Sequence, residues 1–333
     1  MSTTAMPRVF LDQWCWTHLE QSAHGTRADK ALAEVLDFLR YGSTAGLLSL
    51  PVASEHYIDT YRYENVEARR RRGQLMHELS RSHTMCPITT ALRAEIDLAL
   101  RATFGRPEYA TPPRVFGVGV SHAFAEPELR LHLDPSKFED AGLRSFLEAQ
   151  WSGFMEQEML GGPPFSLPAE GIARPDNQVD QKWADARNER QRRMAEWGIS
   201  EDRTWRAALA CQYADLLEML YERAERASVP INQLFEEGDP ARLTAFLELI
   251  PTAYMFACVD DVALRNSNHR WEAGDFHDVL MLSLAATYCD VVVVDRRWSN
   301  FFNRSRAPRH AVVTNRLAEL PELVLARQTA PAS

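Results

Sequence analysis

The chain has 333 residues, 45% of them hydrophobic and 25% charged, which is ample material for a core and the composition of an ordinary globular protein. A formal net charge of −9 excludes a protein that coats nucleic acid through bulk positive charge, but not a local basic patch beside an acidic site. Five cysteines, an odd number without a CxxC pair, read as reduced core thiols of a cytoplasmic protein. The amino terminus, MSTTAMPRVFLD, lacks the apolar core of a signal peptide, and the longest apolar run, Val279 to Val294, is broken at Asp290, so no membrane span is expected.

In chain order, Val9-Phe10-Leu11 predicts a short strand ending at Asp12, followed by Trp14 and Trp16. A helix over Arg27 to Tyr41 carries Ala31, Leu32, Val35, Leu36 and Leu39 on one face, with Gly42 as its terminator. Gly46 to Val52 reads as a second strand, constrained by Pro51. Ser54 is positioned to cap a helix running from Glu55 through the basic Glu67 to Arg72 segment toward Leu79.

From Ser80 to about Ile250, helical periodicity replaces strand and helix alternation. Stripes begin at Leu92, Phe138, Trp205 and Arg242, separated by a Gly- and Pro-rich loop at Gly161 to Pro175 and a charged stretch at Val179 to Trp197. Phe116-Gly117-Val118-Gly119-Val120 lacks the third glycine of a phosphate loop and reads as a turn or tight packing point. Arg69 to Arg72, Arg187 to Arg193 and Arg304 to Arg309 are candidate basic patches, or solvated helix faces. After Pro251, a dense apolar helix, Thr252 to Leu264, leads through a polar loop into GDFHDVLMLSLAATYCDVVVVDRRW. That stretch is a helix feeding a strand, because Val279, Leu280, Leu282, Ser283 and Ala286 keep helical spacing and Val291 to Val294 is a β-branched run. An Arg-rich connection, a strand at Ala311 to Val313, a helix near Leu317 to Leu325 and a frayed end from Gln328 follow.

The acids fall at element ends. Asp12 follows the first strand, Glu55 and Asp59 follow the second, Asp275 and Asp278 open a helix one turn apart, and Asp295 follows the Val291 strand. In an open parallel sheet these carboxyl ends share one edge, where ligands bind. Carboxylates gathered there repel one another unless divalent cations share them, so Mg²⁺ or Mn²⁺ with a nucleophilic water is the chemistry this spacing fits. Cap and turn roles for Asp275, Asp278 and Asp295 are the alternative.

The motifs VFLD around Asp12, SLPVASEHYID around Glu55 and Asp59, and DFHDVLMLSLAATYCDVVVVD from Asp275 to Asp295 resemble those of PIN-domain nucleases, in a larger bacterial variant. The resemblance covers roughly the first and last eighty residues. It implies an α/β fold, a PIN-like parallel sheet flanked by helices, formed by residues 1–80 and 255–333 and interrupted by a largely helical insertion over 81–254. It implies a metal-dependent nuclease that hydrolyses phosphodiester bonds, RNA favoured, with Asp12, Asp278 and Asp295 holding Mg²⁺ or Mn²⁺. Glu55 or Asp59 supplies the second acid and Asp275 an auxiliary ligand. The insertion has no counterpart in compact PIN toxins, so their role does not carry over.

Arg296, Arg297 and Trp298 depart from the small or polar pair usual after the last acid; they could grip a phosphate and stack a base, or form a packed surface turn. His56 and His277, each beside candidate acids, read as hydrogen-bonding supports. A DNA or structure-specific nuclease using the same acids, and an inactive PIN-like scaffold whose helical insertion binds a protein partner, stand as alternatives.

Overall fold

Val9–Leu11 forms β1, and all three side chains are buried because they alternate between two layers of helices. Val9 and Leu11 enter one layer and Phe10 the other. The same alternation holds in β4 (Val291–Val293), which pairs parallel with β1, Val9 opposite Val291 and Leu11 opposite Val293. β5 (Val312–Thr314) pairs parallel with β4 on its other side, so β4 is central. This is an α/β arrangement, a small parallel sheet in a mostly helical chain. The computed structural model describes residues 6–127, 133–161, 178–230, 240–308 and 310–329.

The expected second strand is reduced to two bridges. Ser49 pairs with Arg8, the Val9 N–H donating to Ser49 O at 2.8 Å, and Val52 pairs with Thr84. Pro51 between them has no N–H to offer a ladder. The segment therefore lies between β1 and β2 (His83–Met85), and not beside the Val291 strand. β2 pairs antiparallel with β3 (Phe116–Val118), so the stretch expected to be largely helical also contributes two strands. Each is too short to impose a period of two on the sequence.

Helix α1 (Gln13–Ala23) begins directly after Asp12, where the sequence predicts nothing helical before Arg27. Helix α2 (Lys30–Thr44) runs through Gly42; a Cβ there would lie 2.6 Å from Leu48 Cδ2, so this glycine permits close approach and does not end the helix. The single helix expected from Glu55 to Leu79 is two, α3 (Ser54–Tyr61) and α4 (Val66–Ser80), because Asn65 caps the second by accepting from Ala68 N–H at 3.0 Å.

Next come α5 (Ile88–Phe104), α6 (Val120–Ala123), α7 (Ala141–Gly161), α8 (Gln178–Glu196), α9 (Glu201–Arg226) and α10 (Pro240–Glu248). The Gly- and Pro-rich stretch 161–175 lies, apart from Gly161, outside the described residues. The carboxyl-terminal part supplies α11 (Pro251–Leu264), α12 (Asp275–Tyr288), α13 (Arg296–Arg304) and α14 (Leu320–Thr329). The expected Arg-rich connection after Asp295 is thus a helix, capped by Asp295 itself. The end expected to fray is helical through Thr329, and the residues beyond it lie outside the described ones.

One sheet face is covered by α1, α2, α4 and α14 through Trp16, Leu39, Met76 and Leu320, and the other by α11, α12 and α13 through Phe256, Leu282 and Trp298. Residues 81–254 share both layers: Met85, Cys86 and Ala91 join the second, and Val120, Ala123 and Leu160 the first. A third cluster links α5, α9, α10 and α11 through Ile96, Leu220, Leu247 and Ala257. No described helix is long and apolar enough to cross a membrane.

The arginine runs expected as patches are largely consumed by the fold. Arg69 donates through Nε to Gly161 O at 3.0 Å, and the buried Arg72 lies over the Tyr63 ring. Arg187 is buried between Asp260 (2.7 Å) and Asp215 (2.9 Å), with its guanidinium 4.4 Å from the Trp183 ring centre. Arg192 and Arg193 pair with Glu189 on an exposed face, and Arg306 bonds Asp261 at 3.2 Å.

A close approach of α4 and α7 is directly testable. A Cβ on Gly73 would fall 2.5 Å from the backbone nitrogen of Gly161, whereas one on Gly153 meets nothing within 4 Å. Urea unfolding is expected to show Gly73→Ala destabilised by about 1–3 kcal/mol, and Gly153→Ala unchanged or stabilised by about 0.5–1 kcal/mol.

Candidate functional site

Asp12 is fixed by where β1 stops. Its N–H donates to Val293 O at 2.9 Å, extending the β1 and β4 pairing by one residue, and its Oδ1 accepts from Gln13 N–H at 2.7 Å to cap α1. The backbone N–H of Asp295, at the matching end of β4, lies near enough to the carboxylate to oppose the rise of its pKa. Asp295 caps α13, its Oδ1 accepting from Trp298 N–H at 2.9 Å. The two expected strand-end acids are therefore neighbours at the carboxyl edge of the sheet.

A cleft opens at this edge, and its walls include Asp12, Gln13, Glu55, Asp59, His277 and Asp278, over Phe10 and Met281. Helix α3 brings Glu55 and Asp59. It is held by His56, which is buried: Ala53 N–H donates to Nδ1 at 2.9 Å, so the ring hydrogen is on Nε2 and donates to Leu11 O at 2.8 Å. Burial pushes His56 down to about 4, so the ring is a neutral brace between α3 and β1, as its expected supporting role requires. Helix α12 brings Asp278 to the solvent-facing mouth.

The acids are raised together. Asp12 is pushed up to about 6, first by burial and then by the charges of Asp295 and Asp59, against the N–H groups of Gln13 and Asp295. Asp278 reaches about 7: although the residue is open at the mouth, protein packed around the carboxyl is the main cause, followed by the charges of Asp12, Asp59 and Asp275, with Arg297 opposing. Glu55 and Asp59 are also raised by burial, and the charge of His277 opposes both shifts. Glu55 is tied to the Ser54 hydroxyl at 3.0 Å and Asp59 to Arg62 at 3.6 Å.

Two expected site residues serve differently. Both oxygens of the buried Asp275 are engaged, Oδ1 by Arg297 Nη2 at 2.6 Å and Oδ2 by Glu272 N–H at 2.9 Å, so it acts on the cleft through its charge on Asp278. Trp298 is 1% exposed in the core, which removes it as a base-stacking platform; the driving cause is its place on the buried face of α13. Arg297 lies 4.7 Å from the Trp298 ring centre, and Arg296 is exposed.

No family model, curated protein or solved structure matches this chain. The site must stand on its own donors. Among the described residues no three His, Cys, Asp or Glu side chains form a ready metal cage. The donor set is nonetheless that of a hard cation: carboxyl oxygens whose mutual repulsion Arg297, His277 and Arg62 oppose only in part, and Gln13 Oε1, a buried oxygen in the cleft wall without a hydrogen-bond partner.

Gln13 and the link from His277 to Asp180 of α8, 3.1 Å long, are additions to the expected set. A helix beginning right after a strand-end aspartate is the signal that could have exposed Gln13.

Raised carboxyl pKa values carry a definite sign. Between the unfolded value near 3.8 and the folded value, the native state binds more protons, so these groups stabilise the cation-free protein as pH falls. His56, with its lowered folded value, acts oppositely below its unfolded value of 6.5. The stability difference between wild type and Asp278→Asn isolates the first effect. Thermal melts with chelator are expected to show Asp278→Asn more stable than wild type at pH about 8, the gap closing toward pH about 5; a gap constant with pH would contradict the shift.

Proposed function

We propose that the chain is a metal-dependent nuclease of PIN-like fold, acting on RNA through the cleft walled by Asp12, Glu55, Asp59 and Asp278. The observation that carries this reading is the gathering of raised carboxyls at one edge of the parallel sheet. Folding alone gains nothing from holding like charges there; a divalent cation turns the same arrangement into a favourable one. The order of acids along the chain and the β1, β4 and β5 sheet support the PIN-like fold, with residues 1–80 and 255–333 as nuclease core and 81–254 as its insertion.

Bound Mg²⁺ or Mn²⁺ supplies the positive charge that polarises a phosphoryl oxygen and lowers the pKa of water. Asp12 and Asp278 would hold it, with Gln13 Oε1 as a neutral oxygen donor. Asp59, whose charge acts on both aspartates, fits the second acid better than Glu55, which flanks it. Asp295 stands beside Asp12 and adds negative charge to the site. Asp275 holds Arg297 in place, leaving the exposed Arg296 to meet a phosphate.

The experiment compares cleavage of labelled single-stranded RNA, structured RNA, single-stranded DNA and duplex DNA with Mg²⁺, Mn²⁺ or chelator. Chelator-sensitive cleavage of RNA is expected, with turnover lowered by about two orders of magnitude or more in Asp12→Asn and Asp278→Asn. Both variants keep the fold, since Asn preserves the cap at Asp12. Cleavage of DNA instead would move the assignment to the other polymer. Intact polymers throughout, from folded protein, would favour a scaffold that binds a protein partner through residues 81–254.

A further inference from the structure

A second cavity lies apart from the acidic cleft. It has a volume of about 290 Å³ and lies at the opposite edge of the sheet, where the strands begin, between the ends of α2 and α4. Leu48, Leu79 and Met6 give it apolar walls, and its polar wall is Ser80, Arg81, His83 and the Ser43 to Gly46 turn. That size and mixture match a small-molecule site.

The polar wall holds donors whose hydrogen-bonding capacity is only partly used within the fold. Arg81 is exposed, and the one hydrogen bond of its side chain is a 3.5 Å contact from Nη1 to Thr44 O, so only part of its charge answers the carbonyl end of α2. Among the described residues the Arg81 guanidinium forms no ion pair with a carboxylate, and the charge of Arg8, whose guanidinium lies over the Phe116 ring, also reaches His83. Ser80 Oγ accepts from Ser82 N–H at 3.2 Å, which leaves its own hydrogen to donate. His83 Nδ1 meets Ser49 Oγ at 2.8 Å; when that hydroxyl donates, Nε2 carries the ring hydrogen. The chain accepts two successive left-handed residues, Arg81 (φ 52°) and Ser82 (φ 62°), neither of them glycine, to make this turn.

We propose that this cavity binds a small phosphomonoester, its phosphate held by Arg81, His83 and Ser80 and its organic part against Leu48, Leu79 and Met6. A guanidinium fork, a ring N–H and a hydroxyl suit a dianionic oxygen acceptor with several lone pairs. The site is separate from the acidic cleft and does not rest on the nuclease reading.

The test is calorimetric titration of the full chain, with chelator present, using phenyl phosphate, inorganic phosphate and the diester uridylyl-uridine. Phenyl phosphate is expected to bind saturably at one site, more tightly than inorganic phosphate and than the diester. Arg81→Asn, which the left-handed backbone tolerates, should weaken it about tenfold or more, and His83→Gln should weaken it less. Asp278→Asn should leave it unchanged. Absence of saturable binding up to about 10 mM, equal affinity in natively folded Arg81→Asn and His83→Gln, loss in Asp278→Asn, or equal binding of the diester would overturn the assignment.

Discussion

Pairing of Val9–Leu11 with Val291–Val293 is the constraint on which the candidate site depends. These two strands come from opposite ends of the chain, and neither has a stable existence without apolar layers on both faces. Their register fixes the acids. Because Leu11 lies opposite Val293, the Asp12 N–H reaches Val293 O, and the Asp12 carboxylate lies near the Asp295 N–H. A slip of one residue would turn Phe10 into the wrong layer and separate these partners. The burial of three consecutive apolar residues in each strand therefore sets the position of charged groups just beyond them.

The middle of the chain works as a clamp on that arrangement. Tyr57 of α3 donates to the fully buried Glu156 of α7, whose carboxyl is raised to about 7 by burial. Asn188 of α8 makes two bonds to the backbone of Trp271, at 2.8 and 2.9 Å, just before the loop that enters α12. His277 at the cleft meets Asp180 of α8. Both helices that carry cleft acids, α3 and α12, are thus braced from residues 81–254. The buried ion pair of Arg223 with Asp97 ties α9 to α5 within the same part of the chain.

Much of the site was legible in the sequence because its signals are local. A β-branched run at Val291 to Val294, a helix pattern before it and an aspartate at each strand end locate Asp12, Asp278 and Asp295 without tertiary information. What was missed depends on partners distant in sequence. Trp298 follows an Arg-Arg pair and reads as exposed, yet α13 turns it into the core. Arg187 reads as part of a basic run, but its partners Asp215 and Asp260 come from other helices. Helix α1 was lost because Trp14, Cys15 and Trp16 are contiguous and show no period, and its capping by Asp12 competes with reading Asp12 only as a ligand. The strands β2 and β3 are below the length at which alternation can be seen.

Electrostatics set the two ends of the sheet apart. Carboxyls gather where β1 and β4 finish, and the guanidinium of Arg81, without an acid partner, lines the cavity where the strands begin. The most direct test of the central claim is a count of bound cations. Electron paramagnetic resonance titration of the full chain with Mn²⁺ should show saturable binding at the cleft in wild type, weakened severely in Asp12→Asn and Asp278→Asn and retained in Arg81→Asn. Wild-type protein that leaves all Mn²⁺ free, or aspartate variants that bind it as wild type does, would contradict the account.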